Sequence, residues 1–193
     1  IELLEKNKVS EKFYKEMFEE TSKNSFLVLT MTALSDSYYK TGLETQGMNW
    51  AEQAMLISQN QDVSLFVRNN ALAAQSVSLY YQGKIFEAIK MQEELMTSHK
   101  KLYHSVVPDE MLSDEEIDHQ QYSYGISMNN LALAYLDSGI KFGEIENLLL
   151  DSIKLISDYR PNDIMLSYPY YNLGNYYVAL NDRKKSEEFF LKA

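Results

Sequence analysis

The stretch Tyr170–Ala193, YYNLGNYYVALNDRKKSEEFFLKA, decides how the rest of the chain is read. In its first half Tyr170, Leu173, Gly174 and Tyr177 recur at spacings of three and four, so two aromatics, a leucine and a glycine share one helical face. Asn181-Asp182 interrupts the pattern, and Ser186, Phe190 and Ala193 restore it at spacings of four and three. A second amphipathic helix, antiparallel to the first, is expected. Gly174 and Ala193 let the two helices approach, while Tyr170, Leu173, Tyr177 and Phe190 fill the space around them. A hairpin of this kind does not bury both faces alone, so it needs neighbours.

These residues resemble the tetratricopeptide repeat: an aromatic, Asn-Leu-Gly-Asn, Tyr, a turn, a small residue, an aromatic and Ala stand at that family's spacings. The resemblance implies an all-α fold, a right-handed α-solenoid of antiparallel helix pairs. Asn181 stands where the family usually has Gly. Asn tolerates the left-handed conformation better than other side chains, so the turn is still expected.

The same pattern recurs upstream. Leu34, Ser35, Tyr38 and Gly42 reproduce the spacing of Leu173, Gly174, Tyr177 and Asn181, and Gly47, Ala51 and Ala54 that of Ser186, Phe190 and Ala193. Leu72, Ser76, Leu79 and Gly83 lead to Ala88 and Leu95, with Asp62 as the expected N-cap. Gln75 and Gln92 stand there where large apolar residues are expected; either they pair across the helices or this unit is a weaker member of the stack. Met128, Leu131, Ala132, Tyr135 and Gly139 give a further first helix, and Ile145, Leu149 and Ser152 its partner, displaced by one residue so that the turn at 140–143 is one residue longer. The units span about 26–60, 62–104, 114–159 and 163–193, after a leading helix over 9–24 carrying Val9, Phe13 and Met17. Ser113 and Glu116 form a capping box for a long helix reaching Ser138. Pro169 is harmless in the first turn if Ser167 caps that unit's helix, and kinks it if the helix begins at Asp163. Aligned on Ser35, Ser76, Ala132 and Gly174 the units are 41, 56 and 42 residues apart, where the common repeat has about 34. That longer spacing resembles kinesin light chains and bacterial regulators of the Rap phosphatase and pheromone-receptor type. The whole is expected to be one helical repeat domain, a fragment of a longer protein.

Composition points the same way. Seven Gly, three Pro, nine Met and fifteen Tyr in 193 residues suit helix packing better than tight-turned strands. The net charge of −10 argues against nucleic acid or an anionic membrane as partner, since both require a basic patch. No apolar run reaches the roughly 20 residues that span a bilayer. The chain has no Cys, which excludes disulfides, thiol catalysis and thiolate zinc sites. His99, His104 and His119 do not fall on a ligand ladder, and neither a phosphate loop nor a nucleophile elbow is present, so an enzyme, a metal or a cofactor is not expected.

A groove is the better expectation. In solenoids of the family it resembles, first helices line the concave side, which places Asp36, Tyr39, Tyr80, Asn129, Tyr171 and Asn175 inward. Asn129 and Asn175 each offer a donor and an acceptor to a peptide backbone, or else serve as caps or meet solvent. Asp36 and the near absence of Lys and Arg on this face disfavour a carboxylate clamp and favour a basic or neutral peptide. The reading is a protein-interaction scaffold. The alternative is a ligand-sensing regulatory domain of a bacterial signalling protein or transcription regulator, with its effector outside the fragment. Compartment and oligomeric state are left open.

Overall fold

The computed structural model describes residues 23–104 and 114–193, apart from the side chains of 102–104 and 114–120. The leading helix expected over 9–24, the Ser113 cap and the loop beside it lie outside these residues, save Lys23 and Asn24. Among the described residues the chain is all-α, with eight α-helices packed as sequential antiparallel pairs. They are α1 (Lys23–Lys40), α2 (Glu44–Ser58), α3 (Leu65–Tyr81), α4 (Ile85–His104), α5 (Asp114–Ser138), α6 (Ile145–Tyr159), α7 (Ser167–Ala179) and α8 (Arg183–Phe190). Short 3₁₀ turns at Phe142–Glu144 and Ile164–Leu166 precede α6 and α7. The chain divides into two compact units, Ile1–Ser78 and Leu79–Ala193.

The turn inside each hairpin follows one rule. Gly42, Gly83 and Gly139 have φ of 74°, 74° and 69°, and Asn181 has φ 59°. These are the four turn positions that the sequence alignment picks out. At Gly42 the amide bonds Tyr39 O at 3.1 Å and the Leu43 amide bonds Tyr38 O at 2.9 Å, the paired closure of a Schellman motif. Lys84 N to Leu79 O (3.0 Å) and Asp182 N to Tyr177 O (2.9 Å) repeat it. The turn after Gly139 holds the extra residue: Lys141 is also left-handed, at φ 47°, and the 3₁₀ turn follows.

In the first unit, Val28 of α1, Ala54 of α2, and Val63, Val67 and Ala71 around and within α3 form the core. The α1–α2 pair closes where side chains are smallest. Ser35 Oγ donates to Gly47 O at 2.8 Å, and the Tyr39 ring lies over Gly47, 3.0 Å from where a Cβ would stand. Asp62 does not cap α3. That helix starts two residues further on, where Ser64 Oγ accepts from Val67 N at 3.3 Å, and the Asp62 carboxylate accepts from Asn24 Nδ2 at 3.0 Å. Gln75 keeps its side-chain carbonyl enclosed without a hydrogen-bond donor among the described residues.

In the second unit, Ile89, Leu131, Ala132, Tyr135, Ile145, Leu149, Leu173, Tyr176 and Tyr177 make one continuous core across α4 to α7. The α5–α6 pair meets at Gly125, whose carbonyl accepts from Ser152 Oγ at 2.6 Å. In the α7–α8 pair the ring of Phe190 occupies the space over Gly174 and leaves no room for a Cβ there. The α-helix of this pair starts at Ser167, with buried Pro169 in its first turn, where the missing amide proton has no partner to lose. Asp163 caps the 3₁₀ turn before it instead, accepting from Met165 N at 2.9 Å. Helix α8 ends at Phe190, so Ala193 stands beyond it, exposed.

Candidate functional site

Among the described side chains of the second unit's first helices, those of α7 present the most open apolar surface. Tyr168, Tyr171, Asn175 and Val178 fall three, four and three residues apart, hence on one face. Tyr168, Tyr171 and Val178 are 52%, 55% and 58% exposed, and Asn175 sits half-buried among them. Asn175 makes no side-chain hydrogen bond within the described residues. Opposite this face the same helix buries Asn172, Leu173, Tyr176 and Tyr177 in the core.

The other expected groove residues are distributed differently. Asn129 is buried, and its Oδ1 accepts from Asn172 Nδ2 at 2.9 Å, while its own Nδ2 donates to Asn130 Oδ1 at 3.3 Å. The Tyr80 hydroxyl donates to Asp137 Oδ2. Burial, and then that bond, push the Tyr80 pKa above its ordinary value. The Tyr171 ring lies 5.6 Å from that of Phe190. In the first unit Asp36 is exposed and pairs with Lys40 at 2.6 Å, one turn along α1. Tyr39 leans on Gly47, its hydroxyl enclosed.

Two acid–tyrosine–lysine groups lie between successive pairs, and sequence reasoning did not find them. Tyr135 donates its hydroxyl to Glu93 Oε1 at 2.6 Å, and Lys141 donates to the same carboxylate at 2.7 Å and to the hydroxyl at 3.2 Å. Forty-two residues on, Tyr177 donates to Glu146, and Lys185 donates to the Tyr177 hydroxyl at 3.1 Å with its ammonium over the ring. The Lys141 and Tyr135 bonds hold the Glu93 carboxyl below the usual carboxylate range. Burial, then the bond to Glu93, push Tyr135 up to about 12. In each group a tyrosine hydroxyl of the next pair donates to the carboxylate and a lysine of that pair donates to the hydroxyl, which pins one pair to its neighbour. The only sequence signal was a tyrosine repeating at a turn-proximal position; the carboxylates that answer it stand at different places on α4 and α6.

His99 is buried beside the Tyr124 ring, 5.6 Å between centroids, and burial lowers its pKa to about 4. No group of three or more His, Asp or Glu among the described residues is placed to hold a metal ion. No described helix is long and apolar enough to cross a membrane.

No family model matches the chain, and no curated protein does. Among solved structures, the crystal structure of BtubC (BKLC) from P. vanneervenii is similar over 94% of this chain and 84% of that one, at 13% identity and a TM-score of 0.41. With a TM-score below one half, the fold stands on the helix pairs and their repeated turns.

Proposed function

We propose that this chain is a non-catalytic interaction scaffold that holds a peptide segment of a protein partner against the first-helix side of its hairpins. The observation that carries the reading is the α7 face, where three large apolar side chains, each more than half exposed, surround a half-buried amide. Tyr171 and Tyr168 supply rigid contact area, and Asn175 supplies one donor and one acceptor for a peptide backbone. Asn129 and Tyr80 are the other proposed contacts of this unit, and their polar groups are already bonded to Asn172 and Asp137. Asp36 and Tyr39 are the corresponding proposed contacts of the first unit.

The preferred peptide is basic or neutral. The stripe carries no cation, and the chain has 28 acidic against 18 basic residues, so an acidic peptide meets a repulsive field. Titrating fluorescent basic, neutral and acidic peptides of equal length tests this. Binding is expected for the first two, lost in Tyr171→Ala/Asn175→Ala with the melting temperature within about 3 °C. Preference for acidic peptides overturns the charge argument. A chain that ignores every peptide but is stabilised by a small ligand favours a ligand-sensing regulatory domain instead.

A further inference from the structure

Helix α7, SYPYYNLGNYYVA, contains no charged side chain, although one of its faces meets solvent. That face carries two kinds of group. Tyr168, Tyr171 and Val178, each more than half exposed, give apolar area. The hydroxyls of Tyr168 and Tyr171 and the amide of half-buried Asn175 make no hydrogen bond within the described residues, so three side chains able to donate stand along one stripe. Tyr171 is braced: its ring lies 5.6 Å from that of Phe190, which itself covers Gly174. The equivalent positions on α5 are Ile126, Asn129, Leu133 and Leu136, none of them aromatic and none exposed, and the Asn129 amide already donates to Asn130. The open rings with unbonded donors therefore belong to α7 and are not a property of every first helix.

We infer that the α7 stripe takes a proline-rich segment in the polyproline II conformation, laid along the helix; this rests on the peptide-scaffold reading above and names the class of peptide. A proline has a backbone carbonyl and no N–H, and polyproline II makes no hydrogen bonds of its own, so such a segment needs donors and apolar surface. The stripe offers both: the Tyr168 and Tyr171 hydroxyls and Asn175 Nδ2 donate, and the two rings give flat faces for pyrrolidine rings. A peptide bound as a strand brings as many N–H groups as carbonyls and requires a free backbone edge, which a helix does not have. A helical partner satisfies its own backbone and sets its apolar side against these donors, leaving them unbonded. Spacing agrees with the proline segment. Polyproline II returns the same side of the chain every three residues, over about 9 Å. Tyr168 and Asn175, like Tyr171 and Val178, are seven residues apart, about 10 Å of helix rise. Charge agrees as well, because an uncharged helix face suits an uncharged segment, and any charge the segment does carry is favoured if basic by the net −10 of the chain. The ordering cost is low, since a proline backbone is already close to its bound form.

The test titrates the full chain with fluorescent peptides of equal length and charge: repeats of Ala-Pro-Pro, the same repeats with every Pro replaced by Ala, and an amphipathic helical peptide. The proline peptide is expected to bind about tenfold more tightly than either of the others, or better. Tyr168→Phe and Tyr171→Phe keep the rings and remove one donor each, and each is expected to weaken the proline peptide by about three- to tenfold. Tyr171→Ala removes ring and donor together and is expected to weaken it by more than about tenfold, with the melting temperature within about 3 °C of the parent chain. An alanine or helical peptide that binds as tightly as the proline peptide and is released by Tyr171→Ala/Asn175→Ala overturns the inference and leaves the peptide-scaffold reading standing. Phenylalanine variants that hold the proline peptide as tightly as the parent chain also overturn it, since the hydroxyls then do not select the segment. If none of the three peptides binds, both readings fall.

Discussion

Asn172 gives its side-chain amide to Asn129 Oδ1 over 2.9 Å, tying the first helices α5 and α7 together across 43 residues of sequence. Both residues are buried, so removing either leaves the other's amide without its partner. Asn129→Ala and Asn172→Ala are expected to lower stability by about 1–3 kcal/mol, and the double variant by less than the sum of the two. Asn175→Ala, on the open face of the same helix, is expected to leave thermal stability almost unchanged. Differential scanning calorimetry of the four variants checks the contrast. Equal losses at positions 129 and 175 would contradict it.

Asn129 also shows where the sequence stops being informative. Helix pairing, the left-handed turns and the small residues at Ser35, Ser76, Ala132 and Gly174 were legible, because they depend on period and on residue size within one hairpin. The amide bridge was not, because Asn129 and Asn172 occupy adjacent, not equivalent, repeat positions. Spacing alone gives both 129 and 175 the same inward direction. Only the neighbouring helix covers one and leaves the other open. Gly125 was missed for a related reason: it lies one helical stretch before the aligned segment, where the longer α5 meets Leu155 and Ile156. The Asp62 cap failed on local competition, since Ser64 stands closer to the first turn and takes the amide.

The acid–tyrosine–lysine group at Tyr135 predicts a pH dependence at the acid end. Glu93 is held below its ordinary 4.5 by Lys141 first and Tyr135 second. Its contribution is therefore complete above about 4.5 and lost as pH falls through the lower folded value. Glu93→Gln is expected to flatten the fall of melting temperature below pH 4.5 while lowering it at pH 7. An unchanged acid limb would show that the carboxylate is held no more tightly folded than unfolded.

Gly174 tests the tightest contact of the last hairpin. A Cβ there runs into Cδ1 and Cε1 of Phe190, so the ring has to swing outward. Gly174→Ala is expected to destabilise the chain by about 1–3 kcal/mol and Gly174→Leu by more. Phe190→Ala opens the space, so adding it to Gly174→Ala is expected to restore part of that loss. A double variant whose losses simply add would mean that the ring is not the obstacle.

The hairpin turns separate backbone strain from packing. Gly83 has φ 74° and a Cβ added to it meets nothing within 4 Å, so any effect of Gly83→Ala arises from the left-handed backbone alone. A loss of about 1–2 kcal/mol is expected. At Asn181, with φ 59°, the reverse replacement Asn181→Gly is expected to be neutral or slightly stabilising, and Asn181→Val to cost about as much as Gly83→Ala. Urea denaturation at one pH compares the three. A harmless Gly83→Ala would remove the Schellman closure as the reason for the repeated glycine.

His99 gives a second, separate pH window. Burial beside Tyr124 lowers its pKa to about 4 from an ordinary 6.5, so between those values the unfolded chain binds a proton that the native chain does not. Native stability is then fully present above 6.5 and falls as pH drops toward 4, by on the order of 3 kcal/mol for the whole span. Replacing the imidazole with a ring that does not titrate, His99→Phe, is expected to remove one proton from the uptake on unfolding across that window and leave the fall below pH 4.5, to which carboxylates held low such as Glu93 and Asp163 contribute. Melting temperature measured at half-unit steps from pH 7 to pH 3.5 resolves the two, because the His99 limb begins about two units higher. If His99→Phe melts with the same slope between 6.5 and 4.5 as the parent chain, the imidazole is reached by solvent in the native state and its burial between α4 and α5 is not what holds it neutral.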